Sequence, residues 1–344
     1  MVYAYIIFYL FALIIELSRN VNKNAILVLV CVALTLFAGF RDPSRWADTG
    51  IYVLSFTDYT HSLFEWTPAD EPFGYAEYVF YFLGVIFKTF SSNVTAYLTF
   101  IAALTFIFMY KDFKRYCYYP IFGVCAYVAR FYFNRNLVQI RAGLSYAFVL
   151  WAVQYITTKD WKRYFFWVFI AYLFHHSALL AVPLYFLCMI RIKKWHIVVG
   201  IVIAFILGGV YTEPIRMMVS DYAEDLNVAS YVGEEYQREW GLANPMIYFQ
   251  LFLLLFYTFN ERTLRLTSED YYTIRNAYFY STFILISLSM YTALSGRTSS
   301  MFSTLEMAII PTLINTFMKK NRTVAYLGMG IALTAIFYMN AGGL

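Results

Sequence analysis

Thirteen apolar runs follow one another along the chain, at roughly 2–17, 24–40, 75–90, 93–110, 119–133, 139–157, 162–174, 177–190, 195–211, 245–259, 275–293, 302–317 and 322–340. A helix needs about 20 apolar residues to cross the hydrocarbon core of a bilayer. A backbone in lipid must satisfy its own hydrogen bonds, and a helix does so within one segment. Composition points the same way: 61% of the 344 residues are hydrophobic and 14% are charged, against about 25% charged in a soluble domain. The runs therefore predict an all-α, polytopic integral membrane helix bundle of about 12–13 membrane segments, forming a single domain over 1–344.

The first run, VYAYIIFYLFALII, lacks a basic leader and a small-residue cleavage site, and is expected to be a retained helix. Cys31, Cys117, Cys125 and Cys188 form no CxxC pair and lie in or beside apolar runs, which suits small core residues. The net charge of +5 does not indicate nucleic acid, because the basic residues prove to be a topology signal.

Lysine and arginine collect in cytoplasmic loops. Taking the short loops Arg19/Lys23, Lys111/Lys114/Arg115, Lys159/Lys162/Arg163, Arg191/Lys193/Lys194, Arg262/Arg265/Arg275 and Lys319/Lys320/Arg322 as cytoplasmic puts nine of ten lysines inside. The outer half then holds Arg41, Arg45, Arg130, Arg135, Arg141, Arg216, Arg238 and Arg297, with Lys88 as its one lysine. Lysine is a point charge that serves as an anchor. Arginine is a planar fork that grips phosphate or carboxylate with two bonds.

This orientation requires an odd number of crossings between Arg41 and Lys111, where two apolar runs lie. The run EYVFYFLGVIFKTF is short, aromatic and carries Lys88; it is expected to be re-entrant or interfacial, the alternatives being that DTGIYVLSF crosses or that KDFKR faces out. Two outer loops are long, 41–74 and 212–244, and the second is rich in acids. Long loops are where binding residues tend to sit.

Four polar groups fall on the outer side: GFRDPSRWADTGIY with Arg41, Arg45, Asp48 and Tyr52; RFYFNRNLVQIRAG with Arg130, Arg135, Gln139 and Arg141; FHHSA with His175, His176 and Ser177; and ALSGRTSSMF with Arg297. Arg135 and Arg141 flank a helix start, and Gly296 before Arg297 leaves backbone room for a ligand. Ionisable residues at membrane depth mark a substrate path or a site. An arginine-lined outer cavity calls for an anion, and membrane-borne pyrophosphate is the economical candidate. The sequence has no DxD pair to hold a metal on it, so the arginines are expected to balance the leaving-group charge themselves as preorganised donors. No cofactor is expected.

His175 and His176 interrupt an apolar stretch. On a helix, neighbours point about 100° apart, so one ring would face the cavity and the other an adjacent helix. An outer histidine is a fit general base for a sugar hydroxyl. Asp48 is the rival base; it stands one turn from Tyr52 if that stretch is helical, which would put carboxylate and phenol on one face.

The ordered set GFR…D-x-x-x-Y, E-P-x-x-Y, an arginine-led helix, F-H-x-S-A and G-R before an apolar helix, running from Phe40 to about Phe317, resembles the EpsG-like polysaccharide polymerases. These are relatives of the Wzy O-antigen and capsule polymerases. By position Arg41, Asp48 and Tyr52 match the first motif, Glu71, Pro72 and Tyr75 the second, and Arg141, His175, Ser177 and Arg297 the rest. Two positions depart from the family pattern. Arg141 is followed by Ala142 where Gln is common, and Met301–Phe302 stand where a Tyr-Phe pair usually trails the G-R.

The resemblance implies a membrane glycosyltransferase with a GT-C-like bundle at the periplasmic face of the bacterial inner membrane. It would join undecaprenyl-pyrophosphate-linked oligosaccharide repeat units, one as donor and one as acceptor, into a surface polysaccharide, with a chain-length regulator as a further partner. On this reading Arg141 and Arg297 hold the donor pyrophosphate with Arg135 in support, Arg41 and Arg45 take the second pyrophosphate or acidic sugars, and His175 or Asp48 accepts the proton. Gln139, Tyr52, Glu71, Tyr75, His176 and Ser177 complete the substrate-binding set. The alternatives are a flippase for lipid-linked oligosaccharide, which would need arginines along the inner half too, and a ligase transferring the glycan to another lipid core.

Overall fold

The computed structural model describes residues 1–341 except 47, 68–69, 71–76, 191 and 211–239. Among the described residues there is no β-strand. The principal helices are α1 (Val2–Leu17), α2 (Lys23–Gly39), α3 (Thr49–Asp58), α4 (Tyr78–Phe90), α5 (Val94–Tyr116), α6 (Pro120–Tyr127), α7 (Ile140–Thr157), α8 (Trp161–Phe174), α9 (Val182–Met189), α10 (Lys194–Val210), α11 (Pro245–Phe259), α12 (Tyr271–Ser287), α13 (Thr292–Ser303), α14 (Glu306–Thr312) and α15 (Arg322–Ala341). A π-helical segment, Val128–Val138, joins α6 to α7, and a 3₁₀ segment, His176–Ala181, joins α8 to α9.

The chain folds as two compact units, Met1–Val182 with Glu306–Leu344, and Pro183–Leu305. In the first, α7 pairs with α8 and α5, α2 with α5, α1 with α6 and α15, α6 with α14, and α4 with α8. In the second, α12 packs against α10, α11 and α13.

Two helical stretches are long and apolar enough to cross a membrane, Val94–Tyr116 and Lys319–Ala341, while six further apolar helices are 10–17 residues long. Several apolar runs that read as one segment are divided in three dimensions. The run 119–133 passes from α6 into the π segment, 177–190 passes from 3₁₀ helix into α9, and 302–317 is broken around α14, which contains Pro311. Irregular backbone of this kind is tolerated where protein buries it. Helix α4, at about 1.5 Å per residue, is about 20 Å long, short of the ~30 Å core. Its Lys88 Nζ donates to the carbonyls of Phe56 and Thr57 at 2.8 and 2.7 Å.

Local chemistry sets the helix ends. Asn22, Asn93, Asp160 and Asn244 each accept a backbone N–H of the first turn with the side chain, which satisfies one orphan donor. The turn between α7 and α8 places Lys159 in the left-handed region at φ 56. Small residues then bring helices together, since a short side chain lets two backbones approach closely. A Cβ on Gly39 of α2 would stand 2.8 Å from the Thr99 backbone Cα of α5, so this crossing admits glycine alone.

Candidate functional site

The π segment ends at the α7 start, where Gln139 N–H bonds back to Asn134 O at 2.6 Å. This wide turn carries Arg135, which is buried. Its guanidinium lies over the Tyr146 ring at 4.1 Å and donates to Gln139 Oε1 at 3.3 Å. The bend depends on Gly143: a Cβ there would come within 2.2 Å of the Arg135 carbonyl oxygen. π-Helical insertions recur at functional sites.

Beside it, α8 stops at Phe174 and His175 is fully extended at φ −160, ψ 121. The expectation that His175 and His176 are helical neighbours is therefore corrected: His175 is the cap between α8 and the 3₁₀ segment. The extended residue turns the His175 ring toward Glu77, which precedes the first turn of α4. His175 Nδ1 and Glu77 Oε1 are 2.7 Å apart. Arg141, in the first turn of α7, bonds the second carboxylate oxygen of Glu77. The His176 backbone N–H also points at Glu77 Oε1, at 3.4 Å, while the exposed His176 ring stacks on Tyr172 at 5.0 Å. Tyr146 OH and Ser177 Oγ share a hydrogen bond of 2.9 Å, and the Tyr146 and His175 rings lie 6.2 Å apart.

Glu77 and His175 sit at helix ends, outside α4 and α8. Burial works against the charge on Glu77, but the His175 N–H and the Arg141 guanidinium outweigh it and hold the carboxyl down at about 2. Burial pushes the His175 ring the other way, toward its neutral form; Glu77 opposes this, and Arg141 and Arg135 reinforce it, so the net shift is downward. Both directions describe one state near neutrality, an anionic Glu77 beside a neutral imidazole. Nδ1 must then carry the ring proton, which leaves Nε2 as an acceptor. Among the described residues of this cluster, Arg141 pairs with the Glu77 carboxylate and Arg135 lies over the Tyr146 ring.

Five of the residues singled out in the sequence thus come together: Arg135, Gln139, Arg141, His175 and Ser177. Two others in the cluster, Glu77 and Tyr146, were not foreseen. The signal for Glu77 was present, since a lone acid at the edge of an aromatic run must find a partner.

The first motif lies differently. Arg41 is buried, and its guanidinium donates to Ala38 O and, at 3.3 Å, to Thr49 Oγ1, which itself bonds Leu137 O at 2.5 Å. Arg45 is exposed and pairs with Asp42 at 3.5 Å. Asp48 caps α3, and its carbonyl accepts the Tyr52 N–H at 3.4 Å. Tyr52 is buried in an aromatic cluster with Phe56, Phe80, Tyr97 and Ile140. Arg130 lies 3.5 Å from the buried Glu306 carboxylate. Arg297 belongs to the second unit, half-buried on α13, and the adjoining Gly296 has open space where a Cβ would be. Glu71 and Tyr75, and nearly all of the loop 212–244, fall outside the described residues. Among the described residues no group of three or more His, Cys, Asp or Glu is arranged to hold a metal ion.

The family model of the EpsG family matches residues 24–342. The chain is also 24% identical to the amylovoran biosynthesis protein AmsC of Erwinia amylovora, in an alignment covering 93% of this chain and 89% of that protein. No solved structure matches it.

Proposed function

Because the chain belongs to the EpsG family, we propose that it is a membrane polysaccharide polymerase whose acid–base centre is the Glu77–His175 pair. The observation that carries this is the 2.7 Å bond between His175 Nδ1 and Glu77 Oε1, with Arg141 on the other carboxylate oxygen. The substrate class follows from the family and from the relative's role in the biosynthesis of a polysaccharide, amylovoran. In this reading, donor and acceptor are glycans on undecaprenyl pyrophosphate, and the site faces the periplasm.

The chemistry is a glycosyl transfer. A hydroxyl of the acceptor attacks the donor's anomeric carbon, a carbon–oxygen bond forms, and the bond to pyrophosphate breaks with its electron pair leaving on the phosphate oxygen. His175 Nε2 receives the hydroxyl proton. Glu77 fixes the ring through Nδ1 and stabilises the imidazolium that forms, so the pair works as an oriented base. Arg141 keeps Glu77 ionised. Arg135, over the Tyr146 ring, donates to the pyrophosphate and stabilises its developing negative charge. Gln139 and Ser177 line this site as polar partners for sugar hydroxyls. Asp48, the alternative base, stands at the N-cap position of α3 without a side-chain cap bond and has no described contact with this cluster.

Reconstitution of the full chain in liposomes with a lipid-linked repeat unit as sole substrate tests the proposal. Polymer is expected. Absence of product would favour a transporter, and product that appears only with an added lipid-core acceptor would favour a ligase; either result overturns the reading.

A further inference from the structure

The second unit contains a cleft of about 490 Å³ that the reaction above does not use. It lies where the starts of α10 and α12 meet the loop after α9, and its polar wall is built from Lys193, Lys194, Tyr272, Arg275 and Asn276. Arg275 is almost fully buried, 2% exposed. Its guanidinium donates to Ile192 O at 2.7 Å and to Asn276 Oδ1 at 3.1 Å, and lies 5.2 Å from the Tyr272 ring centre. All of these are neutral groups. Among the described residues no carboxylate stands within ion-pair distance of Arg275. The one acid on the wall, Glu261, is bonded to Tyr272 OH at 2.8 Å and paired with Lys194 at 3.5 Å.

The guanidinium is hydrogen-bonded to neutral groups alone, with Glu261 acting on it only from beyond ion-pair distance, so a buried charge of this kind gains from an anion that comes to it. Three cations against one carboxylate leave the cleft positive, and the N-termini of two helices of 17 residues each add their positive ends. The lining also has an apolar part, with Met189 and Ile190 largely exposed. An anionic group with an attached hydrocarbon matches both parts.

We propose that this cleft binds a phosphate group, most fittingly the phosphodiester of an anionic lipid headgroup, with Arg275 and Lys193/Lys194 as its ligands. The positive-inside assignment puts the same loops on the cytoplasmic side, where anionic headgroups gather and basic pockets between helices receive them. The cleft shares no residue with the Glu77–His175 centre and does not depend on the polymerase reading.

The test uses the full chain, delipidated in detergent, with three probes: dioctanoyl phosphatidylglycerol, inorganic phosphate, and dioctanoylglycerol, which lacks phosphate. Phosphatidylglycerol is expected to raise the melting temperature saturably and dioctanoylglycerol not to. In the variant K193Q/K194Q the half-saturating concentration should rise by about tenfold, the loss of one or two charge-assisted bonds. Arg275→Gln should abolish the response; should that variant fail to fold, the lysine pair decides the matter, since Lys193 is exposed and Lys194 partly so. Inorganic phosphate that binds as tightly as the lipid would identify free phosphate as the occupant. Binding of the lipid alone would identify a headgroup. No saturable response to either, or a response unchanged in K193Q/K194Q, overturns the proposal.

Discussion

Glu77 Oε1 and His175 Nδ1 are joined by a 2.7 Å hydrogen bond across 98 positions of sequence. The carboxylate is also the partner of Arg141, so one acid connects the end of α8, the start of α7 and the approach to α4. Removing its charge while keeping its shape is the most informative substitution. Glu77→Gln should lower polymer formation by about 100-fold or more, since an oriented base contributes about 10²–10⁴ and an amide can donate to the ring and impose the wrong tautomer. Single-turnover assays with lipid-linked repeat units would measure it, and a rate within threefold of wild type would remove Glu77 from the mechanism.

The pH profile follows from the same pair. His175 must be neutral to accept a proton, and its basicity is shifted below the ordinary value of 6.5, first by burial. Activity should therefore persist below pH 6.5 and fall only as the ring becomes protonated at lower pH. Glu77, held at about 2, stays ionised throughout that range. Because Glu77 raises the His175 value, Glu77→Gln should move the acidic limb further down while reducing the plateau. A purely structural role would lower the plateau and leave the limb in place.

Arg135 and Tyr146 separate charge from stacking. Tyr146→Phe loses the bond to Ser177 but keeps the ring under the guanidinium, and is expected to retain activity within about fivefold, a cost of about 0.5–1 kcal/mol. Arg135→Lys keeps the charge and loses the planar contact; a loss of about tenfold or more is expected, in the range of a desolvated cation–π contact and a forked donor. Initial rates of polymer extension for the two variants would check the order, and equal activities would argue against a role for the stacked guanidinium.

Gly143→Ala places a methyl group against the Arg135 carbonyl, where 2.2 Å is available. Backbone cannot yield as a side chain can, so the π segment must shift, at a cost of about 1–3 kcal/mol. A melting temperature several degrees lower in detergent is expected, together with reduced activity because Arg135 moves with the turn. An unchanged melting curve would show that the wide turn is not held by this contact.

Arg41→Gln should act on stability more than on substrate affinity. Its guanidinium ties the end of α2 to Thr49, and Thr49 to the π segment at Leu137. A loss of about 1–3 kcal/mol is expected for breaking hydrogen bonds of a buried charged group, read as a lower melting temperature with an unaltered KM for the lipid-linked substrate. A raised KM with normal stability would restore Arg41 to substrate binding.

The helical class was legible from the linear chain, because apolar content and the lengths of its runs are local properties. So were several members of the candidate site. Arginines beside a single lysine on one side of the assumed topology, and two histidines inside an apolar stretch, are local anomalies of the kind that accompanies a site. What the chain alone did not disclose was pairing. Glu77 reads locally as an acid ahead of a helix, and nothing within several residues of it names His175 or Arg141. Tyr146 is one aromatic among many until Arg135 is seen above it. Arg41 and Tyr52 are ligand candidates by motif; their surroundings, the Ala38 carbonyl and Thr49 hydroxyl for one and aromatic rings for the other, are visible only in the fold. Hydrophobicity and helix periodicity act residue by residue, whereas a buried charge is stable only where helix ends from distant parts of the chain bring its counter-charge within reach. That meeting is decided by tertiary packing.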